Sequence, residues 1–425
     1  MEKSLAFILA GGAGERLRPL TNFRAKPAVP FSRYRILDHN TSAIINAGIK
    51  TILFPIQYEQ RSLLEHIINA YSMFRGERKI IPIPPNQRIN DNKKVEIVEY
   101  LGTADAVFQN IREIKIYNKP EEVLVFSADH ITDINVGEMI KYHRKIKPDL
   151  TIAAEVRKIK EEDFELRDNS LHYKYGIILT KDNEVIGFRE KPSKEEMAGI
   201  GDKVLVSMGN YIFNSKSLIE ALENNFGVDF GKHVIPAMLN SSKKIFVYKF
   251  RGSEDIDEEI PIFYWRDVGD INSFFDTCLE LNNPNPRLDY QRLIEENRPV
   301  ISTGGIIAPS RIESQGKIST ISEGCRIYGK LENCVLGQNV FIGHGSYLKN
   351  TIVFPNVRIE PGVNIQNAII DKNNIIPSGI TIGYNKEGDI LKSVIPDPHK
   401  NKILLYTIIP KGDEYITVIP RVDPN

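Results

Sequence analysis

Residues 331–383 read LENCVLGQNVFIGHGSYLKNTIVFPNVRIEPGVNIQNAIIDKNNIIPSGITIG, and one period runs through them. Aliphatic residues stand at Leu331, Leu336, Ile342, Leu348, Val353, Ile359, Ile365, Ile370, Ile376 and Ile382, with Gly, Asn and Pro between them. The steps are 5, 6 and 6 residues, repeated, so the full repeat is 17. Leu331, Leu348, Ile365 and Ile382 therefore share one column, Leu336, Val353 and Ile370 a second, and Ile342, Ile359 and Ile376 a third. Three short faces per coil, each offering one inward aliphatic, predict a hexapeptide-type parallel β-helix. The strands of a β-sandwich would alternate every two residues and run longer.

Upstream of this array the pattern changes. Leu5 to Ala10, Thr51 to Ile56, Val123 to Ser127 and Thr151 to Val156 are apolar nearly throughout, the mark of strands buried on both faces. Between them, Leu63, Leu64, Ile67, Ile68 and Tyr71 recur at helix spacing. So do Val107, Phe108, Ile111 and Ile114, with Thr103 placed as a cap and Asp105 as a first-turn acid. Such alternation predicts an α/β domain with a mostly parallel sheet covered on both faces. The chain thus divides into residues 1–283, a connection over 284–305 that opens with Pro284 and Pro286, and the repeat domain over 306–425.

Composition narrows the function. Of 425 residues, 55 are Lys or Arg and 55 are Asp or Glu, so the formal charge is zero. That balance argues against holding nucleic acid or an anionic membrane by bulk charge, and leaves room for local phosphate pockets. No apolar run nears the roughly 20 residues needed to span a bilayer, and the apolar stretch after Lys3 is too short for a signal peptide. Cys278, Cys325 and Cys334 offer neither a disulfide framework nor a C-x-x-C metal motif. A cytoplasmic protein is expected.

Directly after the first strand comes Gly11-Gly12-Ala13-Gly14-Glu15-Arg16-Leu17. Glycines here let the backbone approach a nucleotide and turn its amides towards phosphate, while Arg16 and Lys26 supply positive charge. The spacing is neither G-x-G-x-x-G nor that of a P-loop. A purely structural turn would have no need of Arg16, Arg18, Arg24 and Lys26 so close together.

These residues resemble the opening of the nucleotide-sugar pyrophosphorylases, and among them the bacterial-type glucose-1-phosphate adenylyltransferases (ADP-glucose pyrophosphorylases). Leu9 to Leu17 is similar to the family opening, and Arg24 to Val29 followed by Tyr34 to Asp38 resembles the adenylyl-glucose branch. Further matches, in family order, are Tyr100 to Val107, Ala128-Asp129-His130, Arg189 to Pro192, Ser207 to Tyr211, Asp229 to Lys232 and Tyr264 to Gly269. The resemblance implies a Rossmann-like nucleotidyltransferase domain followed by a left-handed parallel β-helix. It implies transfer of the adenylyl group of ATP to α-D-glucose 1-phosphate, giving ADP-glucose and pyrophosphate for glycogen or α-glucan synthesis.

Asp129 ends a strand at the carboxyl edge of the sheet, where open α/β folds bind ligands. A carboxylate there suits Mg²⁺, with Asp267 as the second acid, and the resemblance implies the same two metal positions. It places Arg16 and the loop amides on the leaving pyrophosphate, Lys26 on the phosphates and Lys191 on the sugar phosphate. Leu9, Gly11, Gly12, Gly14, Gln57, Tyr100 and Gly102 fall on its nucleotide side. Gly176, Glu190, Ser207, Tyr211, Asp229 and Trp265 fall on its sugar side. A phosphate nucleophile is already ionised at pH 7, so the chemistry asks for alignment and charge neutralisation rather than a base. Tyr100 and Trp265 would serve equally as core aromatics.

Leu101, Ala128, His39, Ala43 and His233 depart from the branch pattern and bear on nucleotide preference and effector response. Two alternatives stand beside the adenylyltransferase: a related pyrophosphorylase using another nucleotide or sugar phosphate, and a non-catalytic regulatory subunit. His344, in a turn of the repeat domain, raises the acyltransferase chemistry seen in other β-helices, though a lone turn histidine is more often inert. Family precedent adds a homo-oligomer, a tetramer or an assembly with a paralogous subunit, and an unidentified allosteric metabolite bound between the domains, where Arg24 and Arg35 are candidates.

Overall fold

Leu5 and Phe7 face one way along the first strand and Ala6 and Ile8 the other, and all four are buried. A strand buried on both faces must lie inside a sheet covered by helices. In the computed structural model this strand, Ser4–Leu9, is flanked by Glu122–Ser127 and Thr51–Pro55, with Lys79–Ile83 beyond, all parallel. Leu5, Phe7, Leu53, Val123 and Val125 join one apolar cluster. Ala6, Ile8, Ile52, Phe54, Leu124 and Phe126 join the other. The structure describes residues 3–421 apart from 75, 77, 90–94, 117–118, 225–226, 252–262, 302–309, 313–318, 387–394, 397–402 and 405. The end of the predicted connection and the first positions of the predicted repeat domain lie outside the described residues.

The expectation of a mostly parallel sheet holds for these four strands; beyond them only Leu150–Lys158 and Ile245–Arg251 pair in parallel among the described strands of this sheet. The nine-stranded sheet continues through Lys203–Asn214, which runs antiparallel to Glu122–Ser127. Ile177–Lys181 and Glu184–Arg189 follow, also antiparallel, and Leu150–Lys158 pairs with both Lys203–Asn214 and Ile245–Arg251. The reason is local: only Asp182 and Asn183 separate Lys181 from Glu184, and a two-residue turn joins antiparallel strands only. The predicted helix through Val107 and Ile114 is two short helices, Thr103–Phe108 and Ile111–Ile116. Thr103 is not its cap. Its hydroxyl instead donates to Asp229 at 3.2 Å and accepts from the Phe230 amide at 3.1 Å. Asp105 does sit in the first turn, where it accepts from the Leu101 amide at 2.8 Å.

In the repeat domain the three predicted columns are buried and stack in parallel register 17 residues apart, as in Leu331↔Leu348↔Ile365↔Ile382. Its first described rungs are shorter: Thr320 pairs with Val335 and Arg326 with Phe341, an offset of 15 residues in each case. Two ladders of asparagines pin the corners. The Asn333 side chain donates to Asn350 at 2.9 Å and Asn350 to Asn367 at 3.0 Å, while Asn339, Asn356 and Asn373 repeat the pattern at 3.3 Å. All six have positive φ, which asparagine tolerates better than most residues.

The two parts share a core. Leu17, Leu20, Val29, Phe31, Phe274 and Phe275 pack on Val335, Ile352, Ile369 and Phe354 of the repeat domain. Asn282 extends one ladder across the junction, donating to Asn333 at 3.0 Å and to the Cys334 carbonyl at 3.1 Å. The chain end returns as a hairpin, Thr407–Lys411 and Glu414–Ile419, whose second strand pairs in parallel with Ala368 to Ile370. Among the described residues no helix is long and apolar enough to cross a membrane.

Candidate active site

The glycine loop leaves the first strand at the carboxyl edge of the sheet and walls a cleft of about 480 Å³. Gly14 stands at φ +65°, and a Cβ there would lie 2.8 Å from that of Lys26. Both facts exclude a side chain, so Lys26 can pass directly beneath the loop. Thr21 locks the turn by donating to the Gly14 carbonyl at 2.8 Å. Leu9, Gly11, Gly12, Gly14, Arg16, Lys26, Tyr100 and Gly102 all line this cleft. Gly102 is there for closeness, because a Cβ would meet the Val228 carbonyl oxygen at 2.4 Å. Gln57 stands behind the wall, where its side-chain oxygen accepts from the Tyr100 amide at 2.6 Å. Tyr100 is both core and lining: its ring is buried and its hydroxyl bonds the Ile83 and Pro84 carbonyls.

Lys26 is the centre of the site's electrostatics. Its buried ammonium donates to Asp129 at 3.0 Å and to Asp267 at 3.4 Å. Burial works against its charge, but the two carboxylates outweigh burial and raise its pKa. Burial likewise opposes the charge of Asp129, and the Lys26 ammonium, helped by the Ser127 hydroxyl, more than compensates and holds that carboxyl below its usual range. Asp129 is deeply surrounded by protein yet open at its tip, with 45% of its side chain exposed to the cleft. Ser127 donates to its other oxygen at 2.5 Å. Asp267 reaches this point because Trp265–Asp267 pairs antiparallel with His130–Thr132, setting Asp267 opposite His130. Beneath them His130 is buried and held neutral, with burial lowering its pKa to about 4. The Asn40 amide donates to its Nε2 at 2.8 Å and to the Ser127 carbonyl at 2.6 Å.

Two carboxylates that already converge on one cation, open to a cleft, form a donor set suited to Mg²⁺, which takes one or two acids and completes its shell with phosphate and water. Among the described residues no group of three or more His, Cys, Asp or Glu side chains forms a closed metal cage.

A second cavity of about 190 Å³ adjoins the first and shares Arg16, Ser127 and Asp129 with it. Gly176, Glu190, Lys191, Ser207, Tyr211 and Trp265 line it, so six of the seven predicted sugar-side residues come together. Burial raises the pKa of Glu190 and of Tyr211. Trp265 is buried against His130 and Tyr175, with its indole N–H lacking a partner. Asp229 lines neither cavity; its carboxylate caps the turn Phe230–Val234 at the Lys232 amide, 2.9 Å away, and accepts from Thr103. Ser127, Lys174 and Tyr175 were not anticipated. Lys174-Tyr175 precedes Gly176 directly, which was the available signal. His344 is exposed and stacks on Tyr328 at 4.7 Å.

The nucleotidyl transferase family model matches residues 5–283, and that of the GlmU-like C-terminal hexapeptide matches residues 300–395. The chain is 36% identical to the glucose-1-phosphate adenylyltransferase of Thermodesulfovibrio yellowstonii over 93% of its own length and 94% of that protein's. It belongs to the glucose-1-phosphate adenylyltransferase family. Membership rests equally on proteins of that name from Fusobacterium nucleatum subsp. nucleatum, 37% identical over 81% of this chain and 84% of theirs, and Deinococcus radiodurans, 33% identical over 96% and 98%. This nucleotidyltransferase therefore carries its Gly-rich cleft and paired acids on the family's catalytic half, and its 17-residue columns on the hexapeptide half.

Proposed function

We propose that the protein transfers the adenylyl group of ATP to glucose 1-phosphate, releasing pyrophosphate, in the cytoplasm. The observation that carries this reading is the pair of adjoining cavities, one beneath a glycine loop and one lined with hydroxyl and carboxylate groups, meeting at Arg16, Ser127 and Asp129. ATP takes the larger, with Leu9, Gly11, Gly12, Gly14, Tyr100 and Gly102 around it and Gln57 holding Tyr100 in place. The sugar phosphate takes the smaller. Lys191 binds its phosphate, Glu190, Ser207 and Tyr211 face its hydroxyls, Gly176 leaves room for the ring and Trp265 bounds it. Asp229 supports this wall from behind rather than touching the sugar.

A phosphate oxygen of the sugar phosphate attacks the α-phosphorus of ATP. The new P–O bond forms as the bond to the β-phosphate breaks, and pyrophosphate leaves with the electron pair. Arg16 and the loop amides hold the leaving end, and Lys26 stays charged next to the reacting phosphates. Asp129 and Asp267 would hold Mg²⁺, which supplies neutralisation of phosphate charge when bound. We place the domain boundary near 283, take the β-helix as left-handed and take the assembly as a homotetramer.

Release of pyrophosphate from glucose 1-phosphate with ATP, UTP, dTTP or GTP tests the assignment. ATP-selective release is expected; release with another nucleotide would reassign the substrate, and none at all would favour the regulatory-subunit reading. Replacing Lys191 by Gln removes one phosphate charge contact without touching the nucleotide cleft. It should raise the KM for glucose 1-phosphate about tenfold to a hundredfold while changing the KM for ATP less than about threefold.

A regulatory reading has its own observation. Arg24, Arg35, Lys372 and Arg421 converge where the two domains meet, opposed there by Asp371, which pairs with Arg24 at 2.7 Å. Burial, then Arg24, Arg35 and Arg421, push the Lys372 pKa down to about 8, a sign of cations crowded together. Arg24 keeps a buried nitrogen without a partner. A multivalent anion bridging the domains answers all of these, and is the chemistry expected of the effector.

A further inference from the structure

After the strand Leu150–Lys158 the chain runs out into a two-stranded hairpin, Phe164–Arg167 against Ser170–Tyr173. Its turn is Asp168-Asn169, at φ +46° and +64°, a two-residue connection built of residue types that accept it. Strand alternation sorts its side chains. Phe164 and Tyr173 root one face, with ring centroids 5.4 Å apart and Tyr173 fully buried, while Leu166 further out is 72% exposed. The other face carries Glu165, Arg167, Ser170 and His172.

That second face grips both ends of the site. Glu165 accepts from Arg16 at 2.6 Å and is only 18% exposed, and its other oxygen accepts from Arg167 at 2.5 Å. Directly opposite Glu165 on the partner strand, His172 lies with Nδ1 3.1 Å from the Lys191 carbonyl. The Tyr173 amide donates to the Pro192 carbonyl at 2.8 Å, and the Lys194 amide to the Leu171 carbonyl at 2.7 Å. Lys191 itself stands at φ +49°, a conformation a lysine rarely adopts unless its surroundings impose it. One hairpin thus ties the arginine assigned to pyrophosphate to the loop of the lysine assigned to the sugar phosphate.

We infer that Glu165 is a positioning residue that holds Arg16 as a carboxylate in place of a phosphate, so that the pyrophosphate end of a nucleotide must displace it. Arg167 competes with Arg16 for that carboxylate and eases the exchange. The inference rests on Arg16 being the pyrophosphate ligand. A carboxylate so placed costs the enzyme some affinity for pyrophosphate, which suits a product that must leave.

Calorimetric titration of the intact protein with inorganic pyrophosphate and Mg²⁺ tests this in three variants. Glu165→Gln keeps the shape and removes the competitor, so pyrophosphate should bind about fivefold more tightly, the scale of one partly exposed ion pair. Arg167→Gln strengthens the hold of Glu165 on Arg16, so pyrophosphate should bind about twofold to fivefold more weakly. A hairpin with a merely structural role would move both variants in the same direction. Unchanged or weaker binding in Glu165→Gln overturns the inference, as does equal-signed movement of the pair. Should Glu165→Gln fail to fold, Arg167→Gln decides by the sign of its own shift. Arg16→Gln separates the two claims. Loss of binding there with a silent Glu165 discards the hairpin alone, whereas unaltered binding discards the pyrophosphate role of Arg16.

Discussion

Replacing Asp129 by Asn is expected to lower kcat about a thousandfold and to abolish the stabilisation that Mg²⁺ gives the native protein, while leaving the fold in place. Removing one partner of a buried ion pair usually costs about 3–5 kcal/mol, but here the balance is unusual. Lys26 is one cation between two acids, and losing Asp129 leaves it paired with Asp267 at 3.4 Å. The variant exchanges a net negative cluster for a neutral one, and the Asn still accepts from Ser127. Thermal midpoints without metal should therefore differ by only a few degrees. With Mg²⁺ added, the wild type should rise and the variant should not. The pH dependence carries a sign as well. The Asp129 pKa is depressed in the folded state, so its contribution to stability is present above the ordinary carboxylate pKa and is lost as pH falls below it. The Asn variant should show a flatter loss of stability below about pH 4. Full activity in the variant would remove Asp129 from the metal site.

The sequence told most where one period ran unbroken. The three aliphatic columns of the repeat domain and three of the four parallel strands under the glycine loop could be read because each is buried on fixed faces, and burial leaves an apolar signature; the edge strand Lys79–Ile83 is only half-buried and escapes that reading. The far half of the sheet left that mark only at Thr151 to Val156, which shows a buried strand but not its direction. The direction of Ile177–Lys181 against Glu184–Arg189 is set by the turn at Asp182-Asn183, two residues without glycine. The asparagine ladders share the 17-residue spacing, yet they escaped a search for apolar residues alone. In the site, motif order supplied Asp129 and Asp267 separately. That they share Lys26 follows from the pairing of Trp265–Asp267 with His130–Thr132, a contact between residues far apart in sequence. Asp229 lines neither cavity for a related reason: its carboxylate is engaged by the Lys232 amide and Thr103, a contact its motif does not reveal. Glu165 was invisible because only the hairpin brings it to Arg16.

Replacing Asp371 by Asn should cost about 3 kcal/mol or more of stability, the scale of a buried ion pair broken on one side. Arg24 and Asp371 are 3% and 1% exposed and 2.7 Å apart, so little water can take over the role of the carboxylate. Arg35, Lys372 and Arg421 make the deficit worse, because Asp371 opposes the crowding of all four cations. Lys372 sets the pH window. Its folded pKa lies near 8, below its ordinary value near 10.5, so between those limits the unfolded chain binds more protons and stability rises with pH. The deficit of the variant should be largest below pH 8 and shrink above it. An anion should act in the same direction from outside. Sulfate at about a hundred times its dissociation constant would add about 2.7 kcal/mol to any state that binds it. It should stabilise the variant more than the wild type at pH 7 and much less at pH 9.5. Denaturant midpoints at the two pH values, with and without sulfate, give all four comparisons. A variant as stable as the wild type at pH 7, or equal sulfate effects on both proteins, would mean that these cations do not form one anion site and that the effector binds elsewhere.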